Sequence, residues 1–400
     1  MTATVFRKGL NLKHAVAGTL ADDYHSELIE QIKNSDFIWQ DGRLIVHLAQ
    51  EFGFCYGVDR AVDYAYQTCV RFPESQVFLT GEIIHNPKVN TRLRDAGVSF
   101  LSDSGQSVEH LTKSDVVILP AFGVTIELLE QLDRRGCALI DTTCGSVLNV
   151  WKNVKRYTED GFTAVIHGKV HHEETRATAS QALLAKDGHY LVILDRKEAE
   201  LLCDFICDRI GIDQFKNTFR EACSPGFVPS RDLKRVGLAN QTTMLMSESL
   251  EIGELIRDAM VDRYGHNVLS EHYRAFETIC SATQDRQDAI TTLLNTQKFD
   301  LAIVIGGYNS SNTRNLARIC ADSLPSFHIA DADCLVSENE IRHRPANKRN
   351  QEGPDNSSEV ISRNWLPSAG AVSVAVTAGA STPDSIVGDA ISRLSTFANS

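Results

Sequence analysis

Residues 162–180 read FTAVIHGKVHHEETRATAS, and the fold turns on how this stretch is read. A run of apolar and β-branched residues ends at Gly168. A polar turn follows, and then small and polar residues at helical spacing. A strand that is apolar on both faces is buried on both, which is the property of a parallel sheet covered by helices. The same unit recurs along the chain as RLIVHLA (43–49), QVFLTGEII (76–84), DVVILPAF (115–122), CALIDTT (137–143), RVGLANQTT (235–243), DLAIVIGG (300–307) and AVSVAVTAG (371–379). Strand, polar turn and amphipathic helix in alternation predict an α/β fold.

The turns have an order of their own. Three contain a cysteine: Cys55 in FCYG, Cys144 in TTCG and Cys280 in ICS. After each comes a turn rich in His, Glu, Ser or Asn, at 84–86, 171–174 and 309–312. A third turn then follows each of these, at 120–123, 241–243 and 380–382. Nine turns in three groups of three imply three related modules, drawn at 43–136, 137–262 and 275–398. Residues 1–42 remain as a polar N-terminal extension with an amphipathic run near 25–34. Residues 335–364, with Pro345 and Pro354, read as an exposed polar insertion in the third module.

Composition narrows the chemistry. Forty basic residues against 52 acidic ones leave a net charge of -12, which argues against nucleic acid or an anionic membrane surface as the partner. No apolar run is long enough to span a bilayer. At 42% hydrophobic and 23% charged, the chain reads as an ordinary soluble globular protein. The first twenty residues hold Arg7, Lys8 and Lys13 and no acidic residue, but no secretory pattern, so the expected compartment is the cytoplasm. Ten cysteines in 400 residues are no disulfide framework, and in a reducing compartment those at special positions are metal-binding or catalytic.

Ligands of open parallel sheets bind beyond the carboxyl ends of the strands, where all nine turns lie. A cysteine at a helix start favours thiolate. Three such thiolates with no fourth equivalent fit zinc with one open position, or an iron–sulfur cluster with one iron left for substrate. Cys203, Cys207 and Cys223 form a weaker group without a fourth ligand, and Cys69, Cys137, Cys320 and Cys334 read as structural. In HHEE, one histidine suits an anion and one glutamate a proton transfer. The hydroxyls, amides and backbone N–H groups of 306–313, 241–243 and 379–382 suit phosphate. No Walker lysine or dinucleotide fingerprint accompanies them.

Taken together, GFCYGVDRAV, GEIIHNPKVN, DTTCGSV, HHEETRATAS, NQTTM, ICSATQDRQDA, GGYNSSNT and TAGASTPD resemble the 4-hydroxy-3-methylbut-2-enyl diphosphate reductase family over about residues 45–395. The PAFG run, the extension and the insertion resemble its cyanobacterial and plant branch. The resemblance implies three α/β modules in pseudo-threefold arrangement around a [4Fe-4S] cluster held by Cys55, Cys144 and Cys280. It implies reductive removal of the substrate hydroxyl, with Glu174 and Thr242 as catalytic residues. His85, His172, Thr243, Ser310, Ser311, Asn312 and Ser381 match substrate-binding positions, mainly for the diphosphate. A small ferredoxin or flavodoxin is the implied electron donor, and a plastid stroma replaces the cytoplasm if the source is eukaryotic. One position departs: many bacterial members carry a histidine where this chain has Phe122. A zinc-dependent hydrolase using the same cysteines and a non-enzymatic iron–sulfur regulator are the rival readings.

Overall fold

The computed structural model describes residues 4–276, 278–346 and 358–400. The chain divides into two compact units. The first takes its described residues from 1–7, 78–81 and 101–280, the second from 8–77, 82–100 and 281–400. Among the described residues no helix is long and apolar enough to cross a membrane.

The first unit holds two parallel sheets. In one, Val5–Phe6, Ala138–Asp141 and Val116–Leu119 lie side by side, and the Thr80 amide extends the row by donating to the Ile118 carbonyl. In the other, the order is Tyr273–Ala275, Val236–Asn240, Thr163–His167 and Tyr190–Ile193. Both faces of this second sheet are covered, which explains why its strands are apolar throughout. On one face, Val165, Leu191 and Leu238 pack with Leu202, Ile252, Ile256 and Met260 of the helices Arg196–Ile206 and Met246–Tyr264. On the other, Ala164 and Ala239 meet Val150, Val154 and Tyr157 of the helix Gly145–Glu159. The Tyr157 ring crosses the strand at Gly237, where a Cβ would lie 2.4 Å from a ring carbon.

The second unit is built on one sheet, ordered Ser326–Ile329, Leu301–Ile305, Val372–Ala378 and Leu44–Leu48, with Ile38–Asp41 antiparallel at its edge. Ile303, Val374 and Val376 pack with Ile386, Ile391 and Leu394 of the helix Asp384–Ala398. Ala302, Val304 and Ala375 pack with Ile290, Leu316 and Cys320 on the helices Ser281–Thr296 and Ser311–Ala321.

One order recurs in all three sheets. The strand leading to a cysteine turn pairs with the strand leading to a third turn, and that strand pairs with the one leading to a second turn. This pairing crosses the module boundaries drawn from sequence. Leu44–Leu48, placed at the start of the first module, lies in the sheet of residues 301–378. Ala138–Asp141, placed in the second, pairs with Val116–Leu119 of the first. Apolar periodicity locates a strand but carries no information about its partner: the Cys144 and Cys280 strands complete the sheet of the preceding repeat, and the Cys55 strand that of the last.

The described residues of both flanking segments include regular structure. In the extension, Ser26 caps the helix Glu27–Asn34 through the Ile29 amide, and Ile29 and Ile32 are fully buried in the core of the second unit. The insertion forms a hairpin, with Glu340–His343 antiparallel to Val360–Arg363. Its residues 347–357 lie outside the described residues.

Candidate active site

In the first unit, Cys144 is the N-cap of the helix Gly145–Glu159 and its amide donates to the Ala121 carbonyl at 2.8 Å. Asp141 shapes the same turn by accepting from the Thr143 amide at 3.1 Å. Cys280 immediately precedes the helix Ser281–Thr296, and its amide donates to the Thr242 carbonyl at 3.1 Å. Thr278, two residues earlier, is buried and locks that approach by accepting from the Asn240 amide and donating to the Asn240 carbonyl.

The His172–Glu174 turn and the Gln241–Thr243 turn meet here. His172 caps the helix Glu173–Ala182, its Nδ1 accepting from the Glu174 amide at 3.2 Å. The Glu174 carboxylate, 3% exposed, accepts from the Thr242 amide at 2.6 Å. A carboxyl held this way has a fixed direction, as a proton donor requires. Glu173 is exposed by comparison. Gln241, fully buried, ties the two turns together. Its Oε1 accepts from the Thr175 hydroxyl at 3.0 Å and the Lys169 amide at 3.2 Å, and its Nε2 donates to the Thr243 hydroxyl at 2.9 Å.

Phe122 stands at this cluster. Its ring meets the His172 ring edge-on, with centroids 6.4 Å apart. Gly123, at φ +77°, makes the bend that follows, where a Cβ would collide with the Trp151 ring. Phe122 is 8% exposed yet lines a cavity of about 350 Å³ with Thr125, Glu127, Glu173 and Arg176. It is therefore both packed and pocket-lining. Phe122→Ala should lower the melting temperature, because losing a buried ring costs roughly 3–5 kcal/mol. It should raise KM for an anionic substrate by less than about tenfold, since it removes no hydrogen-bond donor. Phe122→His should keep the melting temperature within a few degrees of the native protein. Thermal melts and KM of the two variants check both expectations.

In the second unit, Cys55 is the N-cap of the helix Tyr56–Arg71, and its amide donates to the Ala380 carbonyl at 3.2 Å. Around it lies a glycine cradle. Gly306 has φ +148°, a Cβ on Gly307 would stand 2.3 Å from the His85 carbonyl oxygen, and one on Gly379 would stand 1.9 Å from the Thr313 hydroxyl. Only glycine brings these backbones together. Ser310 caps the helix Ser311–Ala321 by accepting from the Thr313 amide at 3.3 Å. Asn312 Oδ1 accepts from the Ala380 amide at 2.9 Å, which aims its Nδ2 elsewhere. That Nδ2 is buried and meets no protein acceptor among the described residues. A buried donor left this way is costly unless a ligand satisfies it. Ser381 donates to the His85 carbonyl at 3.2 Å, and Asn86 Nδ2 donates to the Ser381 carbonyl at 2.8 Å. His85 Nδ1 lies 2.9 Å from the Glu82 carboxylate, so Nδ1 carries a proton and Nε2 donates only when the ring is a cation.

Thus Cys144, Cys280, His172, Glu174, Thr242 and Thr243 belong to the first unit, and Cys55, His85, Ser310, Ser311, Asn312 and Ser381 to the second. Among the described residues the ten cysteines form no disulfide. Cys55, Cys144 and Cys280 are half-buried at helix starts, an arrangement that fits a group bound by thiolates. Other cysteines sit in apolar surroundings. Burial pushes Cys203 up to about 12, with Cys207 adding to the shift, and pushes Cys223 and Cys320 up to about 12 as well. Glu82 is not singled out by the sequence, and Asn86 and Gln241 read there only as members of their turns, Gln241 as a phosphate donor rather than as the tie between two turns. Glu82 and Asn86 stand beside His85 in GEIIHNPKVN, and Gln241 opens the turn QTT, but nothing in a single sequence marks them as organisers.

A sequence model of the LytB protein family matches residues 46–395. The 4-hydroxy-3-methylbut-2-enyl diphosphate reductase of Thermosynechococcus vestitus is 43% identical over 391 residues, covering 97% of this chain and 93% of that protein. The protein of the same name from Gloeobacter violaceus is 46% identical over 396 residues, covering 97% and 91%. A solved structure of an (E)-4-hydroxy-3-methyl-but-2-enyl diphosphate reductase, described as the terminal enzyme of the non-mevalonate pathway, is similar with a TM-score of 0.52 at 26% identity, covering 88% of this chain and 99% of that one. The Plasmodium falciparum reductase structure shares the fold, with a TM-score of 0.61 at 20% identity over 87% of this chain and 86% of that one. A family match across nearly the whole motif-bearing chain, and relatives this similar end to end, establish that the chain belongs to the LytB family.

Proposed function

We propose that this chain converts (E)-4-hydroxy-3-methylbut-2-enyl diphosphate to isopentenyl diphosphate and dimethylallyl diphosphate, the last step of the methylerythritol phosphate route to isoprenoids. Two electrons and two protons enter, the carbon–oxygen bond of the hydroxyl breaks, and water leaves. The observation that carries the reading is Glu174, a buried carboxyl fixed by the Thr242 amide beside His172. LytB proteins are iron–sulfur reductases. The three thiols at helix starts suit a [4Fe-4S] cluster with Cys55, Cys144 and Cys280 as ligands and one open iron. Bound there, it supplies electrons and a coordination position for the substrate hydroxyl.

The remaining chemistry belongs to the chain. Glu174 delivers a proton to the departing oxygen. Because Oε1 accepts from the Thr242 amide, the other carboxyl oxygen is the one that would carry the transferred proton. Asn312 Nδ2, the hydroxyls of Ser310, Ser311, Thr243 and Ser381, and the imidazoles of His85 and His172 hold the diphosphate. The N–H groups opening the helix Ser311–Ala321 add to this. Electrons come from a small ferredoxin or flavodoxin, and the site of action is the cytoplasm, or the plastid stroma in a eukaryote.

Anaerobic purification with iron and sulfide analysis tests the reading, followed by turnover with a reduced carrier and mass analysis of the products. The expected result is a brown protein that forms five-carbon diphosphates with the hydroxyl removed. Bound zinc and release of inorganic phosphate would favour the hydrolase instead.

The insertion hairpin bears on substrate binding. Arg344 Nη1 donates to the Tyr308 carbonyl at 2.8 Å, and His328 Nε2 donates to the Gly306 carbonyl at 3.0 Å. Both carbonyls belong to the proposed diphosphate turn. Burial lowers the His328 pKa to about 3, so the ring stays neutral and this bond is constant across physiological pH. Arg344→Ala should raise KM about 10- to 100-fold with kcat nearly unchanged, because a lost charge-assisted bond costs about 1.5–3 kcal/mol. Steady-state kinetics at constant iron content checks the split.

A further inference from the structure

Arg286 is 4% exposed, on the helix Ser281–Thr296. A buried guanidinium is ordinarily paired with a carboxylate, because an unneutralised charge is costly away from water. Arg286 has no such pair among the described residues. Its donors all reach backbone carbonyls: Nε and Nη2 to Gly53 at 3.2 and 2.8 Å, Nη2 also to Phe52 at 3.4 Å and Phe54 at 3.2 Å, and Nη1 to Ala282 at 2.7 Å. Carbonyl dipoles satisfy the hydrogen bonds but leave a full positive charge, since arginine does not deprotonate in a protein.

The place of that charge is informative. Residues 52–54 form the loop that leads into Cys55, and the Phe54 carbonyl is bonded directly to the Cys55 nitrogen. Gly53, at φ +71°, turns its carbonyl into the fork. A guanidinium that grips this loop is held against the backbone that leads directly into Cys55. Nothing in the catalytic roles assigned above uses it.

We propose that Arg286 is the fixed counter-charge of the cluster bound at Cys55, holding residues 52–54 in place and stabilising the negative charge added on reduction. This rests on the reading of Cys55 as a cluster ligand. In the step concerned, one electron passes from the reduced carrier to the cluster, no atom is transferred, and the net charge beside Arg286 becomes one unit more negative. Unit charges about 10 Å apart at an effective dielectric constant of about 20 shift an equilibrium more than tenfold. Arg286 therefore makes reduction easier without touching the substrate, as a positioning and potential-setting residue.

The test compares holoenzyme carrying Arg286→Gln or Arg286→Lys with the native protein. Anaerobic redox titration followed by electron paramagnetic resonance should show the equilibrium constant for reduction falling at least tenfold in Arg286→Gln, about 59 mV for a one-electron couple. Arg286→Lys keeps the charge and should stay within about threefold of the native value. In iron-free protein, hydrogen exchange of residues 52–57 should quicken in both variants, because both lose the fork. An unchanged potential in iron-loaded Arg286→Gln would overturn the proposal. If Arg286→Gln does not take up iron, Arg286→Lys keeps the proposal falsifiable, because a tenfold loss in that variant overturns it. Native protein that takes up no iron under the same conditions would instead remove the cluster assignment itself.

Discussion

Glu174→Gln should give a folded, iron-loaded protein whose turnover is at least 100-fold slower than native. The amide side chain has the same length and still offers an oxygen to the Thr242 amide, so the 2.6 Å contact between the turns has a replacement. The substituted amide, however, cannot release a proton to a departing hydroxyl. A positioned general acid contributes about 10²–10⁴-fold, which sets the expected loss. Substrate binding should survive, because His172 keeps its capping role through the residue-174 amide, which the substitution leaves in place. Iron content should be unaffected, since no thiolate changes. Glu173→Gln is the control: that side chain is exposed, and its loss should leave turnover within about threefold. The assay needs a low-potential chemical reductant, so that delivery by a protein carrier does not limit the rate. Native-like turnover of Glu174→Gln would show that the proton comes from elsewhere.

The strands were legible because burial on both faces leaves continuous apolar runs such as LAIVI and VSVAVTA, which no solvent-exposed strand would carry. The turns were legible because Cys, His, Thr, Ser and Asn gathered at strand ends have few structural reasons to recur there. Pairing was not legible. Leu44–Leu48 reads the same whether it joins residues 77–79 or residues 372–378, and only the assembled second unit decides. The amphipathic run near 25–34 was legible, but not that its Ile29 and Ile32 join the core of the second unit, because a short apolar stripe does not say which sheet it covers.

Among the polar residues, legibility depended on whether chemistry or tertiary contact defines the role. A thiol at a helix start is informative by itself. Arg286 is not. It sits among polar residues in ICSATQDRQDA, which serves only as a family motif, and its partners in the loop 52–54 lie more than two hundred residues away in sequence. Gln241 is similar, since its hydrogen bonds reach residues 167, 169, 175, 243 and 244. Residues that organise others carry no sequence signature of their own.

Cys144→Ser should abolish the cluster and with it all reductase activity, and Cys55→Ser and Cys280→Ser should do the same. A cluster held by three thiolates has no spare protein ligand, and such clusters are held by cysteine sulfur rather than by a serine hydroxyl. Stability of the apoprotein should change little, because all three side chains are half-buried. Cys203→Ala is the contrasting case. That thiol is packed with Leu202, Phe215 and Ile206 in the core of the first unit, and burial holds it protonated well above physiological pH. Its replacement should leave iron, sulfide and turnover at native levels, with a modest loss of thermal stability from the small cavity. Anaerobic reconstitution of the four variants, with iron and sulfide measured per chain before any rate, separates loss of the cluster from loss of the fold. A fully active Cys144→Ser enzyme would sink the three-thiolate assignment. An iron-free Cys203→Ala protein with a native melting curve would move the metal site to the Cys203–Cys207 helix, where the present geometry offers only neutral thiols.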